Sequence, residues 1–260
     1  MDEIIYSVFL GIIQGLTEFL PVSSSGHLVL VQELLGVNIG SGILFEVAVH
    51  IATLIAILIF YRKKLFILIQ GFLKLDRGSL NYIGKLFVGT LPAVFAVLFF
   101  RSWIEDQFNS LIFVAVCLLL TGCLIWSTRF TLQNENNKEP SWFDALIIGC
   151  VQAIAILPGI SRSGSTVAVA IALGINPIVA AEFSFMLGMI AMFGAGILMF
   201  PELVIASPEL ITNIIFAGIA ALISGLLALF IFVWLLRSQR FYFFAWYLWI
   251  IGALTILLSR

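Results

Sequence analysis

Residues 14–27 read Gln14-Gly-Leu-Thr-Glu18-Phe-Leu-Pro21-Val-Ser-Ser-Ser-Gly26-His27 and divide an apolar segment in two. Residues 4–20 form its first part, and residues 27–35 form a short second part. About ten residues of helix extend roughly 15 Å, which is half of the hydrocarbon core of a bilayer. A half-length helix behind a Pro/Ser/Gly break predicts a re-entrant hairpin, because irregular backbone at membrane depth must be surrounded by protein or water.

The same pattern occurs again later in the chain. Residues 142–157 are apolar, residues 158–164 read Pro-Gly-Ile-Ser-Arg-Ser-Gly, and residues 165–175 are mostly apolar. At an offset of 138, the positions with identical residues include Gly11, Gln14, Ser23, Ser25, Gly26 and Val29 of the first copy. At an offset of 136, Glu46 corresponds to Glu182. The sequence therefore predicts one membrane domain, residues 1–260, that contains two repeats at about residues 1–127 and 142–260.

Six other apolar segments are long enough to cross a bilayer, at residues 45–61, 83–100, 111–126, 181–200, 211–236 and 241–258. Hydrophobic residues make up 62% of the chain and charged residues 10%, against about 45–50% and about 25% in soluble domains. This composition excludes a nucleic-acid-binding protein, a disulfide scaffold and a coiled coil. The predicted fold is an all-α integral membrane protein with six transmembrane helices plus two re-entrant helical hairpins.

The basic residues predict the orientation of these segments. Three spans in each repeat mean that the second repeat is inverted relative to the first. If the first hairpin enters from outside, ten basic residues share the opposite side: Arg62, Lys63, Lys64, Lys74, Arg77, Lys85, Arg129, Lys138, Arg237 and Arg240. The outer side then has Arg101 and Arg260, and Arg162 lies in the second break. The positive-inside rule makes the ten-residue side cytoplasmic, including the loop at residues 61–64, and places both termini outside.

The two breaks carry the candidate functional residues. Inverted repeats with broken helices place their sites where the breaks meet, near the midplane. Gln14 and Glu18 are one helical turn apart and share a helix face, whereas Arg162 comes from the second break. The full candidate set is Gln14, Glu18, Ser23, Ser24, Ser25, Gly26, His27, Ser161, Arg162, Ser163, Gly164, Ser165 and Thr166.

This combination of residue types favours phosphoryl chemistry. Both short helices begin after Ser/Gly-rich loops, so their free N–H groups and positive dipole ends form an anion site. The Arg162 guanidinium matches two phosphate oxygens, while Glu18 and His27 can exchange protons, and Glu18 can also bind a metal. Structural roles are the alternative, because serine hydroxyls also satisfy broken backbone. We interpret His50, one helical turn after Glu46, as a packed partner rather than a catalyst.

The residues of both breaks resemble the signature sequences of the undecaprenyl-diphosphate phosphatases of the bacitracin-resistance type. Residues 14–27 are similar to the first signature, and residues 157–166, Leu-Pro-Gly-Ile-Ser-Arg-Ser-Gly-Ser-Thr, to the second. The similarity continues through Phe45-Glu46, residues 181–185 and the total length. It implies hydrolysis of a C55 polyprenyl diphosphate to the monophosphate and inorganic phosphate, with a divalent cation (Mg²⁺ or Ca²⁺). It also implies a site open to the outer face of the bacterial plasma membrane, where the reaction recycles the lipid carrier of cell-wall synthesis and confers bacitracin resistance.

The resemblance also assigns roles. The Glu/Gln-x-x-x-Glu pair of the family falls on Gln14 and Glu18, its serine turn and histidine on Ser23, Ser24 and His27, and its arginine motif on Ser161, Arg162, Ser163 and Thr166. With the site chemistry, this predicts catalysis by Glu18, Ser24, His27 and Arg162, and a cation at Glu18 and Gln14. Predicted substrate-binding residues are Gln14, Ser23, Ser25, Gly26, Ser161, Ser163, Gly164 and Thr166. One departure is Gln14, which leaves one carboxylate fewer for a metal. Another is Val-Ala-Val-His50-Ile-Ala after Glu46, where a Gln-Leu-Gly type of sequence is expected.

The sequence leaves the attacking group open. Ser24 with His27 as base, His27 itself, or water activated by a metal and Glu18 would each fit, and the logic of nucleophile–base pairs favours the first. A polyprenyl-phosphate flippase or transporter that uses the same anion site is the alternative function. The predicted partners are the polyprenyl diphosphate lipid and the bilayer, with no nucleic acid, and a homodimer stays open.

Overall fold

The computed structural model of the chain describes residues 2–35, 43–131, 138–204 and 207–259. These ranges contain eleven α-helices and no β-strand. The helices are α1 (Asp2–Phe19), α2 (Ser24–Leu35), α3 (Ile43–Phe60), α4 (Arg62–Leu73), α5 (Arg77–Gln107), α6 (Leu111–Ser127), α7 (Trp142–Ile154), α8 (Arg162–Ala172), α9 (Pro177–Val204), α10 (Pro208–Arg237) and α11 (Phe244–Leu258).

Four helices of the described ranges are long and apolar enough to cross a membrane: α5, α6, α9 and α10. The predicted spans at residues 45–61 and 241–258 form the shorter apolar helices α3 and α11. The prediction of an all-helical membrane protein with several spans is thus confirmed at this level.

Helix α5 is longer than the predicted span at residues 83–100. The Asp76 carboxylate accepts the Ser79 N–H at 2.8 Å and caps the helix, which begins at Arg77, six residues before the apolar segment. That hydrogen bond lowers the pKa of Asp76 below its usual range. Capping by an acidic side chain therefore fixes the start of α5, which hydropathy alone does not reveal.

Helix α4 begins within residues 61–64, for which the sequence predicts a loop. Its twelve residues extend about 18 Å, too short to cross a bilayer. Its large apolar side chains Phe66, Ile67, Ile69, Phe72 and Leu73 are exposed. Near its start, Lys64 pairs with Glu182 of α9 at 2.7 Å, which attaches α4 to the rest of the helices.

The helices of the two predicted repeats pack crosswise. Helix α1 lies along α10, α7 lies along α5, α6 lies along α11, and α3 packs against α9 and α10. Two glycines at equivalent positions permit the first two contacts. A Cβ added to Gly11 would overlap the Ala217 carbonyl of α10, and one added to Gly149 would overlap the Gly89 carbonyl of α5. Small residues allow such close backbone approach between helices in membranes.

Candidate active site

The two breaks lie directly against each other. A Cβ added to Gly26 would come within 3.1 Å of the Gly159 Cα, and one added to Gly164 would come within 2.9 Å of the Pro21 Cβ. The Ser163 hydroxyl also donates to the Leu20 carbonyl at 3.4 Å. The first break therefore meets the second even though 138 residues separate their equivalent positions.

Both breaks contain the same serine cap. The Gly26 N–H donates to the Ser23 hydroxyl at 3.3 Å, and the Gly164 N–H donates to the Ser161 hydroxyl at 3.1 Å. The Ser25 hydroxyl lies 3.4 Å from the capping hydroxyl of Ser23, and the Ser163 hydroxyl lies 3.4 Å from that of Ser161. Serine caps helices because its hydroxyl replaces a missing backbone acceptor. These serines thus cap the starts of α2 and α8, whose other first-turn N–H groups have no partner within their own helix.

The Glu18 carboxylate is the centre of the junction. It is 6% exposed, and its Oε2 accepts from the Gln14 amide at 3.0 Å and from the Ser24 hydroxyl at 2.6 Å. The His50 Nε2 lies 3.2 Å from the same oxygen, and the Arg162 Nη2 donates to Oε1. Four side chains from four helices, α1, α2, α3 and α8, therefore surround one buried carboxylate.

His27 does not share a hydrogen bond with Ser24, although the sequence analysis favoured that pair. Its Nδ1 lies 2.8 Å from the Ser23 carbonyl oxygen and its Nε2 lies 2.7 Å from the Tyr247 hydroxyl of α11. The Ser24 hydroxyl instead donates to Glu18. The geometry thus presents Glu18 as the base nearest to the Ser24 hydroxyl.

Arg162 reaches the junction past a glycine of α9. Its Nη1 occupies the place where a Cβ of Gly188 would lie, and this nitrogen is buried without a hydrogen-bond partner in the described part of the chain. Thr166 donates to the Arg162 carbonyl at 2.7 Å and contacts the Ser184 hydroxyl. The Ser165 hydroxyl is likewise buried and unpartnered within the described ranges. Nη1 of Arg162 is therefore an available donor for an anion.

Three residues at the junction went unrecognised in the sequence. His50, interpreted as a packed partner, contacts Glu18, while the Glu46 side chain lies outside the described residues. Thr121 of α6 donates to the Gly159 carbonyl at 3.1 Å and accepts the Ser161 N–H at 3.2 Å, so it holds the second break. Tyr247 is bonded to His27. A single polar residue within an apolar helix carries no motif, although its location in a membrane segment was itself a signal.

Glu18 and Gln14 are the residues at the junction that could hold a hard divalent cation. The Gln14 Oε1 is buried and has no hydrogen-bond partner among the described residues, and it belongs to the side chain that contacts Glu18. The described ranges contain no group of three or more His, Cys, Asp or Glu that could hold a metal by themselves. Mg²⁺ commonly takes one or two carboxylates together with substrate phosphates. These two residues would therefore supply part of the ligand set, and a phosphorylated substrate would supply the rest.

Comparison with known proteins identifies relatives of this chain. The family described as bacitracin resistance protein BacA matches residues 7–254. An undecaprenyl-diphosphatase of Halothermothrix orenii is 39% identical over 99% of this chain and 98% of its own length. Proteins of the same name from Methanosphaera stadtmanae and Alkaliphilus metalliredigens are 36% and 33% identical, over 100% and 97% of this chain and 99% and 98% of their own lengths.

Proposed function

The chain belongs to the bacitracin resistance protein BacA family, and from this premise we propose that it is an undecaprenyl-diphosphatase. It hydrolyses the polyprenyl diphosphate to the monophosphate and inorganic phosphate, which recycles the lipid carrier and confers bacitracin resistance. One observation carries the proposal beyond the likeness: the Ser24 hydroxyl donates to Glu18 at 2.6 Å, and Glu18 in turn contacts Arg162. A nucleophile, a base and an anion-binding guanidinium are the groups that phosphoryl transfer through a serine requires.

The diphosphate binds at the junction of the two breaks. The starts of α2 and α8 provide backbone N–H groups for phosphate oxygens, and Arg162 provides a fork of charged donors. The lipid tail lies between the helices, whose apolar side chains face outward along α5 and α10. The substrate thus places its charged end on the buried polar cluster and its chain in the bilayer.

Ser24 attacks the terminal phosphorus while Glu18 accepts the hydroxyl proton. The bond from that phosphorus to the bridging oxygen breaks, the polyprenyl monophosphate leaves with the electron pair, and Glu18 passes the Ser24 proton to it and becomes a carboxylate again. Water then attacks the phosphoserine, its proton passes to Glu18, and inorganic phosphate leaves as Ser24 regains its hydroxyl. Arg162 stabilises the charge that develops on the transferred phosphoryl group.

Glu18 and the Gln14 carbonyl oxygen would hold a divalent cation, Mg²⁺ or Ca²⁺. When bound, such a cation offsets the negative charge of the diphosphate oxygens and orients them. This assignment is supported by the unpartnered Gln14 Oε1 beside the carboxylate.

The chain crosses the membrane as two inverted units, at about residues 1–127 and 142–260, each with one re-entrant hairpin and three spans. The crosswise packing of α1 on α10 and α7 on α5 supports this arrangement, as do the equivalent glycines Gly11 and Gly149. The placement of the basic residues supports a site open to the outer side of the bacterial inner membrane.

The test is release of phosphate from undecaprenyl diphosphate by the purified protein in detergent. We expect release by the natural chain, strong loss on adding a chelator, and recovery on adding Mg²⁺ or Ca²⁺. Ser24→Ala should release almost no phosphate, whereas Ser127→Ala, which changes an exposed serine at the end of α6, should match the natural chain. A protein that binds the lipid but releases no phosphate under any of these conditions would contradict the phosphatase and favour a lipid carrier.

A further inference from the structure

A chain of hydrogen bonds connects α11 to the first break through His27. The Nδ1 of His27 faces the Ser23 carbonyl at 2.8 Å, and a carbonyl can only accept, so Nδ1 carries the proton. In the neutral imidazole Nε2 is then an acceptor, and the Tyr247 hydroxyl at 2.7 Å donates to it. The chain therefore runs from the Tyr247 hydroxyl through the imidazole to the Ser23 carbonyl.

These hydrogen bonds end at the Ser23 carbonyl, and the backbone of Ser23 has a conformation that needs support from its surroundings. Ser23 has a φ of 69°, in the left-handed region that residues other than glycine rarely adopt. Such a conformation persists when the surrounding structure holds it in place. The Ser23 carbonyl accepts from the His27 backbone N–H at 3.1 Å as well as from the imidazole. The next residue is Ser24, whose hydroxyl donates to Glu18.

We propose that Tyr247 is a positioning residue that acts through His27 on the Ser23–Ser24 turn. Its hydroxyl fixes the Nδ1-protonated form of His27 and keeps the ring directed at α11, where the Tyr247 and His27 rings are nearly parallel at 9°. The imidazole in turn holds Ser23 in its left-handed conformation, so that Ser24 faces Glu18. The consequence for turnover rests on the proposed phosphatase function, whereas the hydrogen-bond chain does not.

Nitrogen-15 NMR of the imidazoles tests the chain without any substrate. The protein has two histidines, so labelling histidine alone gives two sets of ring signals, which His27→Gln and His50→Gln variants assign. In the natural chain we expect His27 to be protonated at Nδ1 and bare at Nε2. Tyr247→Phe should shift the His27 ring signals and leave those of His50 in place. A His27 protonated at Nε2, or ring signals that ignore Tyr247→Phe, would overturn the proposal.

The kinetic arm uses the same variant. Tyr247→Phe should lower kcat about tenfold, the scale of one lost neutral hydrogen bond, with KM changed by less than about twofold, since Tyr247 contacts His27 rather than the diphosphate. Tyr242→Phe, which removes the hydroxyl of the nearby Tyr242 that packs on Trp126, should leave kcat and the NMR signals unchanged. An unchanged kcat in Tyr247→Phe overturns the positioning role. If the natural protein itself releases no phosphate, the proposed phosphatase function fails. The NMR measurement still tests the hydrogen bonds from Tyr247 through His27 to Ser23.

Discussion

At the scale of single residues, the contacts of Glu18 distinguish between the candidate mechanisms. The three-residue spacing of Ser24 and His27 suggested a nucleophile and its base, but the Ser24 hydroxyl donates to the Glu18 carboxylate at 2.6 Å. His27 uses its two ring nitrogens on Ser23 and Tyr247. A mechanism with Glu18 as the base for Ser24 and one with His27 as that base predict different coupling between substitutions. The reason is that the effects of substituting residues that act in one step are not additive.

We expect Glu18→Gln and Ser24→Ala each to lower kcat by about 10²-fold or more, because each removes a member of the attacking pair. The double variant should be hardly worse than either single one. Phosphate-release kinetics of the single and double variants measure this coupling. Full additivity for Glu18 with Ser24 would show that Glu18 is not the base for Ser24.

Arg162 offers a second prediction at this scale. Arg162→Lys keeps the positive charge but loses the planar fork that binds two oxygens. We expect kcat to fall by about 10²-fold or more, the scale of one lost preorganised charge contact. Arg77→Lys, at the exposed start of α5, is the matched control. Full activity of Arg162→Lys would show that the guanidinium only pairs with Glu18.

At the scale of helices, α9 decides whether Arg162 can reach the junction. The guanidinium passes over Gly188, where any Cβ would overlap Nη1. A second glycine of the same helix, Gly194, has nothing within 4 Å of an added Cβ. Since both residues lie within α9, they provide a matched pair for testing the contact.

Gly188→Ala should therefore displace the guanidinium and reduce phosphate release by about 10²-fold, similar to the loss of Arg162 itself. Gly194→Ala should retain activity near that of the natural chain, because alanine is the better helix former and meets open space there. Thermal unfolding of both variants shows whether the helix is otherwise intact. Equal activity of the two variants would mean that Arg162 does not need the space at Gly188 to act at the junction.

At the scale of the whole molecule, the orientation in the membrane follows from the ten basic residues on one side. We expect the start of α4 to be cytoplasmic and both termini to be outside. The measurement is labelling by an impermeant thiol reagent in intact cells, with Lys63→Cys and Asp2→Cys placed singly in a chain whose own Cys117, Cys123 and Cys150 are replaced. Asp2→Cys should be labelled and Lys63→Cys should be labelled only after lysis. The reverse pattern would invert the orientation and place the site open to the cytoplasm.

The sequence alone determined the helical membrane class, the two breaks and their common serine pattern. These features depend on local properties, because apolar length predicts a helix and Pro/Gly/Ser interruptions end one. It also predicted Glu18, Arg162 and the serines as site residues, since ionisable residues in apolar segments are rare without a function. The start of α5 and the separate helix α4 escaped it, because an acidic cap and a twelve-residue helix lie outside a criterion based on spanning length.

The tertiary structure decided which of these residues face each other. Ser24 pairs with Glu18 rather than with His27, and Tyr247 reaches His27 across 220 positions of sequence. Gly188 makes room for Arg162 although no motif distinguishes it from Gly194. Such contacts have no local signature, because they arise only when α9 and α11 pack beside the breaks and fix the directions of single side chains.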